Sequence, residues 1–513
     1  MTRAGIALGG IALALAALIG LTQAASYSQE VINWDESTFM VMAQDLLDGN
    51  LPYLGLYDNK PPGIFLWLAG IMAIFGETLF AVRLFGDACL LGSALIVVWL
   101  VGRGGDAGLA ARFAPGFIAG AMLVAMHSFR YGLYTSSELP AALLLMAALA
   151  VIIRAPHAAR TPALAGLLIS LAVLTRSNLG PVAVGFGLYF AVESLRQGGT
   201  RGALAGYVLA GLAPVAGLVA VYSAMGGLEM LRIATIEVPL AYAGAQASPG
   251  EALARHGALW AERTLARPWQ FGLFSLWAGI GMAATLLKPG AVGWSPAGIA
   301  ALWLMTLAIA ASIALTGSIY LSYWLQILPV FAVFAGIGLR ACLTLLLGPT
   351  PTRALIAVGL AVLLAALPFR ATGPAPDRLA TLLSDPGAVT AGHPLRAAAR
   401  AIEDVRAPGD AVWALEQHLV LFYLELDPPV PVLAHPQNIV RAEIAGPLEA
   451  AGFLEPDALA TLYASRPAFV VTDGDGVPDY LPDPVRFDAF LDGYSLLHTG
   501  PGIAVWRRDE PDT

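Results

Sequence analysis

The chain has 513 residues, 58% of them apolar and only 12% charged, with a mean hydropathy of +0.71, where a soluble chain carries about 25% charge. No single core needs that much apolar surface, so most of the length must face lipid, which excludes a secreted or cytosolic globular enzyme. The 28 Lys and Arg against 36 Asp and Glu leave no basic excess for a nucleic-acid binder.

The first apolar run, residues 5–21, follows the single Arg3 and lacks a small-x-small cleavage context after it. A retained membrane helix is therefore expected rather than a cleaved signal. The loop after it, 24–79, reads NWDESTFMVMAQDLLDGN and then LPYLGLYDNKPPG. Asp35 and Glu36 stand at the start of a predicted helix whose Phe39, Met42, Ala43, Leu46 and Leu47 recur at helical spacing. That stripe is expected to lie against the membrane domain. One acid can serve the helix start, where carboxylates are favoured, and the second is left for a membrane-proximal cleft. Lys60 precedes Pro61 and Pro62, which hold it extended. It reads either as a snorkelling anchor or as a fixed point charge for a phosphate.

The apolar run Gly63–Phe75 is too short to cross about 30 Å of hydrocarbon. Further spans are expected at 80–100, 113–127, 137–154, 162–175, 178–194, 203–223, 269–287, 296–316, 320–339 and 352–369, which makes eleven with the first. Cys89 and Cys342 fall in such runs and read as small buried hydrophobes, without a disulfide or metal cluster. With Gly63–Phe75 lying in the interface, the short cytoplasmic segments hold ten basic residues, Arg3, Arg103, Arg112, Arg154, Arg160, Arg196, Arg201, Lys288, Arg340 and Arg353, against Asp106 and Glu193. The positive-inside rule then places the 24–79 loop, the 224–268 loop and the C-terminal tail outside.

Polar residues near the outer span ends are few. Glu138 begins one span and reads as a sugar or cation contact, or as a partner of Arg130. Arg176 reads as a phosphate ligand, an intraprotein ion pair or a snorkelling residue. In the 224–268 loop, His256 and Glu262 are six apart and so on different helical faces, which makes a poor metal pair. Tyr242, Tyr320 and Tyr323 suit either the wall of a sugar site or an aromatic belt. From residue 373 onward the chain carries 21 acidic and 9 basic groups, against 15 and 19 before it. Residues 371–386 read as a Pro/Gly-rich linker and 387–513 as an outer accessory domain of α/β or α+β type. Its strands are expected at 411–415, from Phe469 and from Gly502, with a helix in EQHLVLFYLEL.

The DE pair after the first span, the helix ending in DGN, and the K-P-P turn before FLWL together resemble the first outer loop of the GT-C membrane glycosyltransferases. The nearest branch is that of the protein O-mannosyltransferases and the lipid A aminoarabinose transferase. Arg83 in AVRLFGD, TRSN at 175–178 and YLSYWLQILP at 320–329 resemble further family segments, and the likeness covers 30–370. The resemblance implies a GT-C fold over 1–370, with about eleven transmembrane helices, in a multi-pass protein of the bacterial inner membrane.

It also implies transfer of a monosaccharide from a polyprenyl-phosphate donor to an acceptor hydroxyl of a lipid, glycan or protein, with inversion. Asp35 and Glu36 are then the catalytic carboxylates, and Lys60, Arg176 and Arg83 the donor-phosphate ligands. Glu138, Tyr242, Tyr320, Tyr323 and Gln326 are the sugar or acceptor contacts. Where the aminoarabinose branch puts a metal-holding glutamate before the lysine, this chain has Asn59. No metal site is carried over there, and a divalent ion would have to use Glu36, His256 or Glu262. A monomer bound to membrane lipids is expected. The competing readings are a secondary transporter and a transferase or ligase of diphosphate-linked oligosaccharides.

Overall fold

The computed structural model describes residues 3–103, 109–196, 201–347, 369, 375–390, 392–432, 437–474 and 481–509. Helices α1 (Arg3–Gln23), α2 (Trp34–Leu47), α3 (Gly63–Phe75), α4 (Leu79–Gly102), α5 (Leu109–Met126), α6 (Glu138–Arg154), α7 (Thr161–Thr175), α8 (Gly180–Arg196) and α9 (Arg201–Ala224) follow in order. After them come α10 (Leu228–Arg232), α11 (Val238–Gly244), α12 (Pro249–Ala266), α13 (Leu273–Leu287), α14 (Pro296–Leu315) and α15 (Trp324–Leu347). Ten of the expected spans coincide with these helices, and the eleventh, 352–369, falls outside the described residues except at its last position.

Among the described residues six helical stretches are long and apolar enough to cross a membrane, beginning at Ala4, Leu79, Gly202, Pro268, Pro296 and Leu321. The chain is a multi-pass membrane protein. Helix α3 has 13 residues, about 20 Å at 1.5 Å per residue, short of the hydrocarbon thickness.

The fold divides into two compact units that do not follow chain order. One comprises 1–25, 84–218 and 246–380, and the other 26–83, 219–245 and 381–513. The first unit is helical. Its buried faces are Leu, Val, Ile, Ala and Phe, and its tightest crossing joins α13 to α15. There a Cβ at Gly281 would stand 1.8 Å from the Phe334 carbonyl oxygen, and one at Gly338 2.2 Å from that of Trp277. Two glycines on facing helices let the backbones touch, which is how helices gain packing energy where lipid removes the hydrophobic drive.

The second unit unites the segment after α1 with the acidic tail. The tail holds a four-stranded sheet of order β1-β2-β4-β3, formed by β1 (Val412–Ala414), β2 (Phe469–Thr472), β3 (Tyr494–Gly500) and β4 (Ile503–Arg508). β1 runs parallel to β2, and the other pairings are antiparallel. Three of these strands were legible from their apolar runs. β3, at the edge and with only Tyr494 buried, was not, and a bulge between Leu496 and His498 interrupts its ladder. Trp413 packs against the rings of Tyr463, Phe487 and Phe490 beneath the sheet. The expected linker contains a helix, Pro376–Ser384, because Leu379, Leu382 and Leu383 fall at helical spacing after Pro376 and Asp377.

Helix α2 corrects another expectation. It is buried on every side from Glu36 to Asp45 instead of along one stripe. Within its unit it packs between α3 and the tail helix Leu419–Leu424.

Candidate functional site

The start of α2 separates the two adjacent acids. Asn33 is the N-cap, its side chain accepting the Asp35 N–H at 2.8 Å, so neither acid is spent on capping. Successive helical side chains diverge by about 100°, and Asp35 and Glu36 meet different cations.

Glu36 is 1% exposed, and its Oε2 accepts two hydrogen bonds from Arg83, at 2.8 Å from Nη2 and 3.1 Å from Nε. The rest of the guanidinium donates to backbone carbonyls. Nη2 reaches Glu30 O at 3.1 Å, and Nη1 reaches Ser26 O and Gln29 O. All five N–H groups of Arg83 therefore have acceptors inside the protein. Arg83 and Glu36 thus meet each other and the backbone of the segment before α2. The pair is a buried knot that ties the segment before α2 to the start of α4.

Asp35 lies on the other side of the helix, one-third exposed, with its Oδ1 3.8 Å from Lys60 Nζ. The lysine also donates to Asn59 Oδ1 at 3.1 Å and lies 5.8 Å over the Phe39 ring. Its backbone is held at both ends. Asp58 Oδ1 accepts the Lys60 N–H at 2.8 Å, and Tyr53 Oη donates to the Lys60 carbonyl at 2.5 Å. Tyr53 itself adopts a left-handed φ of 69°, an uncommon state that its surroundings must enforce. It sits wholly buried among Tyr57, Phe65 and Tyr222, and Tyr222 Oη donates to Pro52 O at 2.7 Å.

Asp58 is the site residue that sequence reading missed, although a D-x-K step before two prolines is an Asx-turn signal. It is 1% exposed, and its Oδ2 has no hydrogen-bond partner. Burial pushes its carboxyl up to about 6 from the ordinary 3.8, Asp35 adds to the rise, and Lys60 and its N–H oppose it. The folded state thus holds the proton up to a higher pH than the unfolded chain. Stability is expected to fall as pH rises from about 4 to about 6 and to level above that. Asp58→Asn should remove most of this slope, a gain of roughly 2–3 kcal/mol at pH 7 relative to pH 4. Melting temperatures of both proteins across that range in detergent check the sign, and parallel pH curves would refute it.

The tail braces these same segments. Glu30 accepts the N–H groups of Leu395 and Arg396 at 2.6 and 3.0 Å, at the N-terminus of the helix Pro394–Glu403. Thr38 Oγ1, on α2, shares a 2.9 Å hydrogen bond with Nδ1 of His418, a ring that burial pushes down to about 4 and so keeps neutral. Tyr57 donates its N–H to Pro431 O at 2.7 Å and forms a parallel bridge with Val432.

The first unit contains a polar cluster of its own. Arg176 pairs with Glu138 at 3.0 Å, donates to Ser137 Oγ at 2.7 Å and stacks 4.6 Å over Tyr323. Arg176 and Glu138 are both nearly inaccessible, and Arg176 Nε has no acceptor. Gln326 Oε1 accepts from Asn178 Nδ2 at 3.3 Å, while Gln326 Nε2 and Asn178 Oδ1 are buried without partners. Tyr320 is half exposed, with its ring 6.2 Å from that of Tyr323. Asn178 was overlooked in the sequence, although it lies within the quoted TRSN.

In the second unit the Tyr242 ring lies 5.7 Å beneath Arg441. The nitrogens of His256 are both engaged, Nε2 with Ser318 O at 3.0 Å and Nδ1 with Trp324 Nε1 at 3.1 Å, and Glu262 is exposed on the same helix. Among the described residues no three His, Cys, Asp or Glu side chains gather as a metal centre would require. Glu36, His256 and Glu262 do not fit one.

No protein-family model matches the chain, and no curated protein matches it. Solved structures do. The chain is similar to ArnT from Cupriavidus metallidurans bound to undecaprenyl phosphate, at 16% identity and a TM-score of 0.60, over 98% of each chain. For the apo state of that protein the values are 16% and 0.58, over 98% of this chain and 97% of that one. The Archaeoglobus fulgidus oligosaccharyltransferase in the apo form matches at 13% identity and a TM-score of 0.51, over 91% of this chain and 69% of that one. The fold is the GT-C fold.

Proposed function

We propose that this chain is a GT-C glycosyltransferase that moves a monosaccharide from a polyprenyl-phosphate donor to a hydroxyl of an envelope lipid, polysaccharide or protein. The likeness to a protein solved with undecaprenyl phosphate supports the donor class. The basic residues of the short loops support an inner-membrane protein with its 24–79 loop and tail on the outer side.

The observation that carries this reading is the contrast between two neighbouring ion pairs. Glu36–Arg83 is sealed and saturated, whereas Asp35–Lys60 is loose at 3.8 Å and reachable by solvent. A loose, accessible carboxylate beside an ammonium suits an exchange in which substrate groups replace the pair. Asp35 takes the proton of the acceptor hydroxyl as its oxygen attacks the anomeric carbon. The bond from that carbon to the phosphate oxygen breaks, its electron pair goes to the phosphate, and attack from the opposite face inverts the centre. Lys60 holds the charge that grows on the leaving polyprenyl phosphate. Glu36 and Arg83 act through the position of α2.

The direct test incubates the purified protein with a panel of polyprenyl-phosphate sugars and native envelope lipids, with mass spectrometry of the products. Release of polyprenyl monophosphate and a hexose- or pentose-sized gain on an acceptor is expected. Turnover only with diphosphate-linked donors would move the assignment to oligosaccharyl transfer. Lys60→Met should weaken donor binding by about 10- to 100-fold, the worth of one charge-assisted hydrogen bond of about 1.5–3 kcal/mol. Unchanged donor affinity would leave Lys60 as a membrane anchor.

A further inference from the structure

We infer that Asp58 is the positioning residue of this site, setting the direction of Lys60 by gripping its backbone. The inference rests on Lys60 being the phosphate ligand, and it assigns a task to a buried carboxylate that neither ligates nor transfers.

Burying an acid at 1% exposure is costly, and half of this one is unpartnered, so the fold tolerates it only for what the other half holds. That other half, Oδ1, receives the Lys60 N–H at 2.8 Å. Tyr53 Oη meets the carbonyl of the same residue, and Pro61 follows it, so the amide before Lys60, its carbonyl and the next φ are all fixed. Tyr57, one residue upstream, is anchored by its own N–H to Pro431 O and by the bridge to Val432. The lysine is thus the tip of a short segment clamped at 53, 57 and 58, with only its side chain left to move. Asn59 Oδ1 and Asp35 Oδ1 then meet that side chain at 3.1 and 3.8 Å. A rigid base under a flexible four-carbon stem is what turns a snorkelling lysine into an aimed charge.

The test is steady-state kinetics of the full-length protein in detergent, with a polyprenyl-phosphate sugar as the varied substrate. Asp58→Ala removes the grip and should raise the donor KM roughly tenfold with kcat within about threefold. Asp58→Asn keeps an oxygen for the Lys60 N–H and should restore KM to within about threefold of the parent. Tyr53→Phe removes the second grip without removing the ring and should raise the donor KM in the same direction. On a Lys60→Met background Asp58→Ala should add nothing further.

A donor KM within twofold of the parent in Asp58→Ala overturns the assignment. So does an equal loss in Asp58→Asn and Asp58→Ala with normal Tyr53→Phe, which would make the charge and not the grip matter. If Asp58→Ala does not fold, Tyr53→Phe decides, and an unchanged KM there overturns it. Should Lys60→Met itself leave donor affinity intact, the phosphate reading falls. Should Lys60→Met weaken it while Asp58→Ala does not, only the positioning role falls.

Discussion

Asp35→Asn is expected to lower sugar transfer by about 10²- to 10⁴-fold, the usual worth of a positioned general base. Its melting temperature should stay within a few degrees of the parent. The two halves of this expectation have separate causes. The amide is nearly isosteric but cannot accept a proton at neutral pH, so the acceptor hydroxyl would have to attack as the alcohol. Asp35 is one-third exposed, and its ion pair is long at 3.8 Å. Pairs of that kind contribute between nothing and about 1 kcal/mol. Asn33 caps α2 without help from Asp35. Turnover above about a tenth of the parent, measured as released polyprenyl phosphate, would remove Asp35 as the base.

Arg83→Met should act the other way round, on the fold first. It strands the Glu36 carboxylate at 1% exposure and leaves the carbonyls of Ser26, Gln29 and Glu30 without that donor. Breaking a buried pair by removing one partner costs about 3–5 kcal/mol, because the remaining charge is uncompensated. A marked fall in melting temperature and in yield of folded protein is expected, with activity per folded molecule largely kept. The double replacement Arg83→Met with Glu36→Met should recover much of that stability, since no stranded charge remains. If Arg83→Met instead folds with the parental melting temperature and loses donor binding, Arg83 is a phosphate ligand after all.

These two variants separate residues that look equivalent in the sequence. Composition alone determined that the chain is a membrane protein, because lipid-facing helices need long apolar runs whatever their neighbours are. Ten of the described helices and three of the strands followed from such runs. The short helix after the K-P-P turn followed from its length. The motifs around Asp35 and Lys60 pointed to the GT-C fold before any geometry was known, since a DE pair and a lysine before two prolines are readable locally.

What stayed hidden were the relations between side chains distant in sequence. Neighbouring acids on a helix diverge by about 100°, so Asp35 and Glu36 acquire different partners only once one face of α2 meets Arg83 and another meets Lys60. A helix covered on all sides shows no single stripe, and the apolar pattern of α2 therefore accounts for only part of its buried surface. The grouping of the tail with the 26–83 segment was equally out of reach. It is made by a few hydrogen bonds, Glu30 to Leu395 and Arg396, Thr38 to His418 and Tyr57 to Pro431, across more than 360 residues of chain. Local periodicity records which surfaces avoid water. Which charge each buried carboxylate meets is decided by tertiary packing, because a Coulomb partner is chosen by distance in space and not along the chain.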